Sequence, residues 1–346
     1  MQTPDKLVAV DGQVSCGLFD GSVRTINGSD FDYRTPMGAR QGALARHFHY
    51  KQFQYFGVLS GRVLAGCALA HTGYIGLVFV YVYDTVSKRM LSETFRLPFA
   101  RGLQMSDSPV AGDSGLSTRG ADIRMAYRQR PDGTLEKALS VQTAKGIRIE
   151  AQLHEAAPYE VLSLCTRTGY NGWTYTNKVA GLPVSGHVES PLGRVDLAEA
   201  HACGNHDFST GYMRRETFWN WACLSGHAGE HLVGLNLSCG VNETSHSENC
   251  VWLDGRRHAT GSAQFTFDRE HPERPWHVTA GDAGTPGSVD LVVTPAGLHA
   301  ERMNVGLFAT NFKQFFGQYS GTIRAQGKTI HVDGLWGFVE DQYAKW

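Results

Sequence analysis

Three carboxylic acids stand in apolar surroundings, where a charged side chain needs a reason. Asp207 lies among small and apolar residues, Glu248 precedes Val251 and Trp252, and Glu340 follows the apolar run 335–339. Burying a carboxylate costs several kcal/mol unless it is paired or protonated. Burial also raises its pKa toward the range in which a general acid or base works. These acids are therefore our candidate catalytic residues.

A structural explanation stays open beside the catalytic one. Arg214 and Arg215 are close to Asp207 in sequence, and an Asp–Arg pair at a domain junction would stabilise the fold without chemistry. Glu340 is equally compatible with a salt-bridged or exposed carboxylate. If residues 206 and 207 are extended, their side chains point to opposite faces, so His206 and Asp207 cannot both line one pocket.

Histidines supply one further candidate. His47, His49 and Lys51 stand at alternating positions, which share one face if the segment is a strand. Two histidines at this spacing can bind a metal ion, but no third ligand stands at a convincing spacing. We therefore expect no metal, and we take His49 as a catalytic candidate on a polar pocket wall. A solvated face is the alternative.

Aromatic and amide side chains are the candidate binding residues. Trp219 and Trp221 share strand parity and can wall a cavity for a flat ligand, although an aromatic residue on a strand is most often core. Asn236 alternates with two leucines and so faces either a pocket or solvent. The candidate binding set is Tyr55, Trp219, Trp221, Asn236 and Gln314.

The elements that must position these residues are short β-strands. Glycine accounts for 40 of 346 residues and charged residues for 19%, which is typical of many tight turns and few solvated helices. Residues 62–70 and 74–83 predict a hairpin. Both faces of 74–83 are apolar, so we expect this strand to be buried on both sides. We expect an all-β protein with no long helix and at most a short helical turn at 39–46.

Length and composition set further bounds. A chain of 346 residues exceeds what one core usually serves, and the least strand-like stretch near the middle is 186–204. We therefore predict domains 1–195 and 196–346. The net charge is −1 with scattered basic residues, which disfavours a nucleic-acid partner. We expect no membrane span and no signal peptide, and the seven dispersed cysteines favour reduced thiols in a cytoplasm.

Several stretches resemble a known superfamily. Residues 175–186, 202–209 and 218–222 resemble the pattern around the Asp-His-Glu-Phe motif of the tandem lipocalin-like (calycin) superfamily, which includes carotenoid hydratases and pericyclic cyclases. At the motif itself this chain has Asn205 and Asp207 in place of the two acidic residues. Carotenoid hydration therefore does not carry over, and the resemblance implies only the location of a polar cluster.

The whole chain more closely resembles the bacterial family known as domain of unknown function 2804. The matching residues are Trp219-Asn220-Trp221-Ala222, Glu248-Asn249, Trp252-Leu253-Asp254-Gly255, Gln314, Phe316-Gly317, Gly337, Glu340 and Trp346. The two resemblances imply two tandem lipocalin-like β-barrel domains packed together, with very little helix and a ligand site between or inside them.

These observations predict a cofactor-independent lyase, hydratase or isomerase. Its substrate would be a small hydrophobic or aromatic molecule, such as a terpenoid, steroid-like, fatty or lignin-derived compound, held in an apolar pocket at the domain junction. Nucleotide-binding, zinc-protease and serine-hydrolase motifs are absent from the sequence. A carrier or sensor of a lipid-like ligand is the alternative, and a purely structural or partner-binding barrel is a third. We expect no cofactor, and homo-oligomerisation stays open.

Overall fold

The computed structural model describes residues 1–155, 159–242, 244–282 and 284–346. Strands make up 63% of the structure and helix 3%, which confirms the prediction of an all-β protein with very little helix. The helical elements in these ranges are a 3-10 turn (Gly28–Asp30) and α1 (Ala43–His49). No helix of the described residues is long and apolar enough to cross a membrane.

The first sheet has fourteen strands, and every pair in it is antiparallel. The strands are β1 (Gly17–Phe19), β2 (Tyr50–Leu59), β3 (Val63–His71), β4 (Ile75–Asp84), β5 (Arg89–Pro98), β6 (Leu103–Gln104), β7 (Gly112–Ser117), β8 (Ala121–Gln129), β9 (Leu135–Thr143), β10 (Arg148–Glu155), β11 (Leu162–Thr168), β12 (Gly172–Ser190), β13 (Gly193–Asp196) and β14 (Cys203–Tyr212). Their order is β5-β4-β3-β2-β14-β12-β10-β9-β8-β7-β6, with β11 and β13 also on β12 and β1 on β11.

The second sheet has nine strands in the order β18-β17-β16-β15-β23-β22-β21-β20-β19. The strands are β15 (Glu216–Ala228), β16 (His231–Cys239), β17 (Cys250–Leu253), β18 (Arg256–Ala259), β19 (Ala263–Thr266), β20 (Trp276–Ala280), β21 (Gly287–Asn304), β22 (Ala309–Ala325) and β23 (Lys328–Lys345). Both sheets curl into near-closed, barrel-like forms.

Each curled sheet encloses a core of its own, and a further core joins the two. Phe56 and Val80 from one side of the first sheet cluster with Ile123 and Leu139 from the other, inside the curl. The opposite face of β2, β3 and β4 packs on the second sheet, where Tyr81 belongs to the shared core. The strand predicted at 74–83 is therefore buried on both faces, as expected.

The shared core carries the aromatic residues that the sequence singled out. Tyr55 from β2 meets Trp221 from β15 and Phe338 from β23, with ring centroids 5.9 and 5.8 Å apart. Because side chains alternate along a strand, every second residue of β15 and β23 faces this junction. The polar residues at the same parity therefore also face it.

The chain passes from the first sheet to the second between Tyr212 and Glu216, after the predicted domain division at 195/196. The stretch 186–204 looks irregular in sequence because glycines interrupt it, yet it contains the end of β12, all of β13 and the start of β14. β14 lies between β2 and β12 in the first sheet. The division at 195/196 itself stays a prediction.

The two sheets approach backbone to backbone at Gly234 of β16. A Cβ atom at this position would lie 2.3 Å from the carbonyl oxygen of Ala180 and 2.9 Å from the amide nitrogen of Gly181. We expect Gly234→Ala to lower the free energy of unfolding by about 1–3 kcal/mol in urea denaturation, because backbone at both sides must shift. Gly61→Ala is the matched control, since nothing lies within 4 Å of its added Cβ. Equal effects of the two substitutions would contradict the close approach.

Candidate active site

Three neighbouring strands of the first sheet place a lysine, an aspartate and a tyrosine in one row. Lys178 of β12 is opposite Asp207 of β14, and Asp207 is opposite Tyr55 of β2. Residues directly opposite on antiparallel strands point to the same face of a sheet. Here that face is the junction, because the Lys178 ammonium lies 4.6 Å from the Trp221 ring centroid, within cation–π distance.

A second row faces the first from the other sheet. Trp221 of β15 is opposite Glu340 of β23, and Glu340 is opposite Gln314 of β22. Trp219, two residues before Trp221 on β15, points to the same side. The register of the two sheets thus brings polar residues from both into one buried cluster.

Lys178 binds two of the three predicted acids. Its Nζ lies 3.1 Å from Asp207 Oδ2 and 2.8 Å from Glu248 Oε2, and all three side chains are at most 7% exposed. The expected pairing of Asp207 with Arg214 or Arg215 is wrong. These arginines donate instead to the carbonyl groups of Gly240 and Leu307. Those arginines point away because their segment has left the first sheet.

The pKa of Asp207 is raised above its usual value. Burial is the largest cause and the nearby Glu248 adds to it, while Lys178 and a 2.7 Å hydrogen bond from Ser209 Oγ oppose the shift. Burial lowers the pKa of Lys178, but the two carboxylates outweigh it and keep the ammonium charged. One cation therefore faces two acidic side chains, and the like charge of Glu248 makes the charged form of Asp207 less favourable.

Glu340 is held by two donors from its own sheet. Oε1 accepts from Gln314 Nε2 at 2.7 Å, and Oε2 accepts from the Trp219 indole at 2.9 Å. Burial raises the pKa of Glu340 to about 7, although these two hydrogen bonds and Lys178 act in the opposite direction. The carboxyl group is therefore poised to give or take a proton near neutral pH.

The remaining binding candidates lie behind these groups. Asn236 accepts from the Trp221 indole at 2.7 Å and donates to the Glu248 carbonyl at 2.9 Å, so it positions both residues. The Tyr55 hydroxyl bonds the Tyr81 hydroxyl at 2.6 Å. Burial raises the pKa of Tyr55 far above its usual value, which keeps the phenol neutral.

A narrow pocket that is partly open to solvent, with a cavity volume of about 70 Å³, reaches this cluster between the sheets. Five of the predicted site residues line it, and apolar groups such as Phe53, Met213 and Trp346 complete the wall. The five predicted residues are Asp207, Trp219, Trp221, Glu248 and Glu340. Tyr55, Asn236 and Gln314 support the wall from behind rather than line it.

His49 lies outside the pocket wall. Residues 43–49 form α1 rather than a strand, so His47, His49 and Lys51 do not share a strand face as expected. The His49 ring bonds the Tyr33 hydroxyl through Nδ1 at 2.9 Å. The alternating pattern was misleading because the strand begins only at Tyr50.

Lys178 and Ser209 line the pocket but were not among the sequence candidates, and Lys51 was named only with His47 and His49 on an expected strand face. For Lys178 a signal was present, since it is the one charged residue between Trp173 and Val184, in a run that is otherwise apolar or neutral. A lysine in such a strand requires a buried partner. Among the described residues, no group of three or more His, Cys, Asp or Glu side chains could hold a metal ion.

Two near-closed β-sheets with a buried lysine–carboxylate cluster between them define an all-β protein of the tandem-barrel class. The chain belongs to the family described as domain of unknown function (DUF2804), which matches residues 1–346. This confirms the family resemblance seen in the sequence. Comparison with curated proteins found no match.

Solved structures share the fold at low identity. A protein provisionally called ATTH from Nitrosomonas europaea is 11% identical with a TM-score of 0.50, over 89% of this chain and 98% of that one. CghA with Sch210972 is 11% identical with a TM-score of 0.51, over 84% of this chain and 88% of that one. Kievitone hydratase from Nectria haematococca is 10% identical with a TM-score of 0.44, over the same 84% and 88%. At these identities the likeness concerns the fold.

Proposed function

We propose that the protein is a cofactor-independent lyase, hydratase or isomerase that acts on a small hydrophobic or aromatic molecule at the junction of the sheets. The observation that carries the proposal is Glu340, a buried carboxyl group at an aromatic-lined pocket whose pKa is raised to about 7 by burial. Titratable groups that lie in a cleft and have a pKa shifted toward 7 are typical of acid–base catalysis.

The cluster divides the work among three groups. In one direction Glu340 gives a proton to the substrate and Asp207 takes up the proton that leaves it. In the reverse direction Asp207, protonated, gives the proton and Glu340 takes one up. Lys178 stabilises negative charge that develops on the substrate. One proton enters the substrate for each that leaves, so the scheme needs neither oxidant nor reductant.

The apolar wall accounts for the substrate class. Trp219, Trp221 and Phe53 offer flat surfaces to a hydrophobic body, while the carboxyl groups stand at the buried end. CghA has a similar fold and was crystallised with Sch210972, which supports a bound organic molecule in this architecture.

Native mass spectrometry of the freshly purified protein tests the proposal, followed by incubation of the retained compound with wild-type protein and Asp207→Asn. We expect the wild type to change the mass, or the isomeric form on chromatography, of that compound. Asp207→Asn should turn over at least about a hundredfold more slowly, because it loses the basic oxygen. It should still fold, since Ser209 can reverse its hydrogen bond and instead donate to Thr176, 3.0 Å away.

His49→Gln is the matched control and should leave turnover within about twofold, since His49 lies outside the pocket wall. An Asp207→Asn protein that melts earlier but keeps full specific activity would make Asp207 a structural ion-pair member. A compound retained and released without change would favour the carrier or sensor instead.

A further inference from the structure

The pocket wall also contains a second buried lysine, which has no acidic partner among the described residues. Lys51 is 3% exposed, and its ammonium donates to the carbonyl groups of Phe48 and Thr72, each at 2.6 Å. Among the described residues, no carboxylate lies within ion-pair distance of it. A buried ammonium satisfied only by carbonyl groups differs from Lys178, which has two carboxylates. In the described chain, the charged form of Lys51 therefore has no carboxylate to offset its charge.

Other basic groups surround Lys51 and none compensates it. The Arg215 guanidinium and the Lys51 ammonium lie 5.7 and 5.2 Å from the centroid of the same ring, that of Tyr74. Burial and then Arg215 lower the pKa of Lys51 to about 7. The pKa of His71, which lines the pocket, is lowered by burial and by the neighbouring cations. Asp107, the acid on this side, bonds Gln52 and pairs with neither cation.

Lys51 and Asp207 lie on the same face of the first sheet, on the neighbouring strands β2 and β14. Lys51, Phe53 and Tyr55 alternate along β2 and so point the same way. Asp207 is opposite Tyr55, four residues from Lys51. Four residues of strand span roughly 13 Å, which separates the cation from the carboxyl groups. Phe53 fills the interval on this wall and Trp219 lines the facing one.

We propose that the substrate is an apolar carboxylic acid, whose carboxylate binds the Lys51 ammonium while its apolar body lies against Phe53 and Trp219. This inference rests on the proposed function and adds the substrate class. A carboxylate is favoured over a phosphate because a single negative charge matches the single buried ammonium. The reacting end of the molecule then lies against Glu340.

Isothermal titration calorimetry tests whether the carboxylate contributes to binding, by comparing the affinity of each acid with that of an uncharged ester. The probes are trans-cinnamate and decanoate, each compared with its methyl ester. We expect each acid to bind at least about tenfold more tightly than its ester, as a charge-assisted contact requires. Lys51→Met should remove that preference and leave ester binding within about twofold. Lys51→Arg should restore it, which separates lost charge from local misfolding.

Lys328→Met is the matched control, because it removes the same charge from a turn-flanking residue outside the pocket wall. Equal binding of acid and ester to the wild type would overturn the inference. So would an acid preference that survives in Lys51→Met, or failure of both acids to bind at millimolar concentration. Glu340→Gln should keep the preference. Acid-selective binding without conversion of any compound would therefore contradict the proposed enzymatic activity but not the proposed carboxylate binding.

Discussion

Glu340→Gln should reduce turnover by at least about a hundredfold and yet make the protein more stable above pH 7. The first effect follows because glutamine neither gives nor takes a proton. The second follows because burial of the charged carboxylate is unfavourable, as its pKa of about 7 indicates. Glutamine has nearly the same shape and carries no charge at any of these pH values.

The sign of the pH dependence follows from linkage. The ordinary pKa of a glutamate side chain is 4.5, whereas folding raises the pKa of Glu340 to about 7. Between these values the folded protein holds a proton that the unfolded chain has lost, so stability falls as the pH rises. Each pKa unit corresponds to about 1.4 kcal/mol. We expect Glu340→Gln to be more stable than the wild type by about 1–3 kcal/mol at pH 8.5, and to lose that advantage near pH 4.5.

The hydrogen bonds at this position can adapt to glutamine. The Gln314 Oε1 atom is buried without a partner, so its amide can turn and accept from the new side-chain amide. The glutamine oxygen can still accept from the Trp219 indole. Urea denaturation at the two pH values gives the free energies of unfolding. Asp341→Asn, one residue further along β23 and partly exposed, is the control and should change stability by less than about 0.5 kcal/mol.

A Glu340→Gln protein that is equally destabilised at both pH values would identify Glu340 as a structural acceptor. It would leave the pocket without its proposed proton donor. Unchanged turnover in a folded Glu340→Gln protein would remove Glu340 from the chemistry altogether.

Lys178→Met should be the most destabilising substitution in the cluster, by about 3–5 kcal/mol at pH 8. It leaves Asp207 and Glu248 side by side, buried, with no cation between them. The pKa of Asp207 is raised by burial, so Asp207 can protonate as the pH falls and the loss should shrink toward pH 4. Chemical denaturation at several pH values measures the effect, and retained ligand is measured alongside.

Lys137→Met offers a matched comparison elsewhere in the first sheet. Lys137 is fully buried, and its ammonium lies 2.7 Å from Glu155 Oε2, outside the pocket wall. We expect it to destabilise the fold but leave ligand retention intact. The triple variant Lys178→Met, Asp207→Asn, Glu248→Gln should recover most of the stability without recovering turnover. A Lys178→Met protein as stable as the wild type at pH 8 would mean that the carboxyl groups already share protons in the native state.

Where a segment does form a strand, side-chain parity was enough to predict which of its residues face which side. The alternation of 74–83 gave both buried faces. The opposite directions of His206 and Asp207 are confirmed, because His206 bonds the Tyr127 hydroxyl while Asp207 pairs with Lys178 at the junction. Parity also put Trp219 and Trp221 on one face.

Partners across the junction could not be predicted in this way. Parity gives the directions of Lys178 and Asp207. Glu248 lies in the loop before β17, and only the docking of two curled sheets decides that it meets Lys178. The length of β12 could not be predicted from the sequence either. The strand continues through a bulge at Gly181 and past Pro183, residues that normally indicate a turn.

The position of β14 has a consequence for how the chain is made. β2 and β12 emerge early from the ribosome, yet the strand that joins them is complete only at Tyr212. Until then a nascent chain has two unpaired strand edges rich in apolar residues, which are templates for aggregation. A fragment that stops at residue 195 would keep those edges open permanently. Residues 1–195 therefore cannot complete the first barrel by themselves, and its folding requires the later residues that form β14.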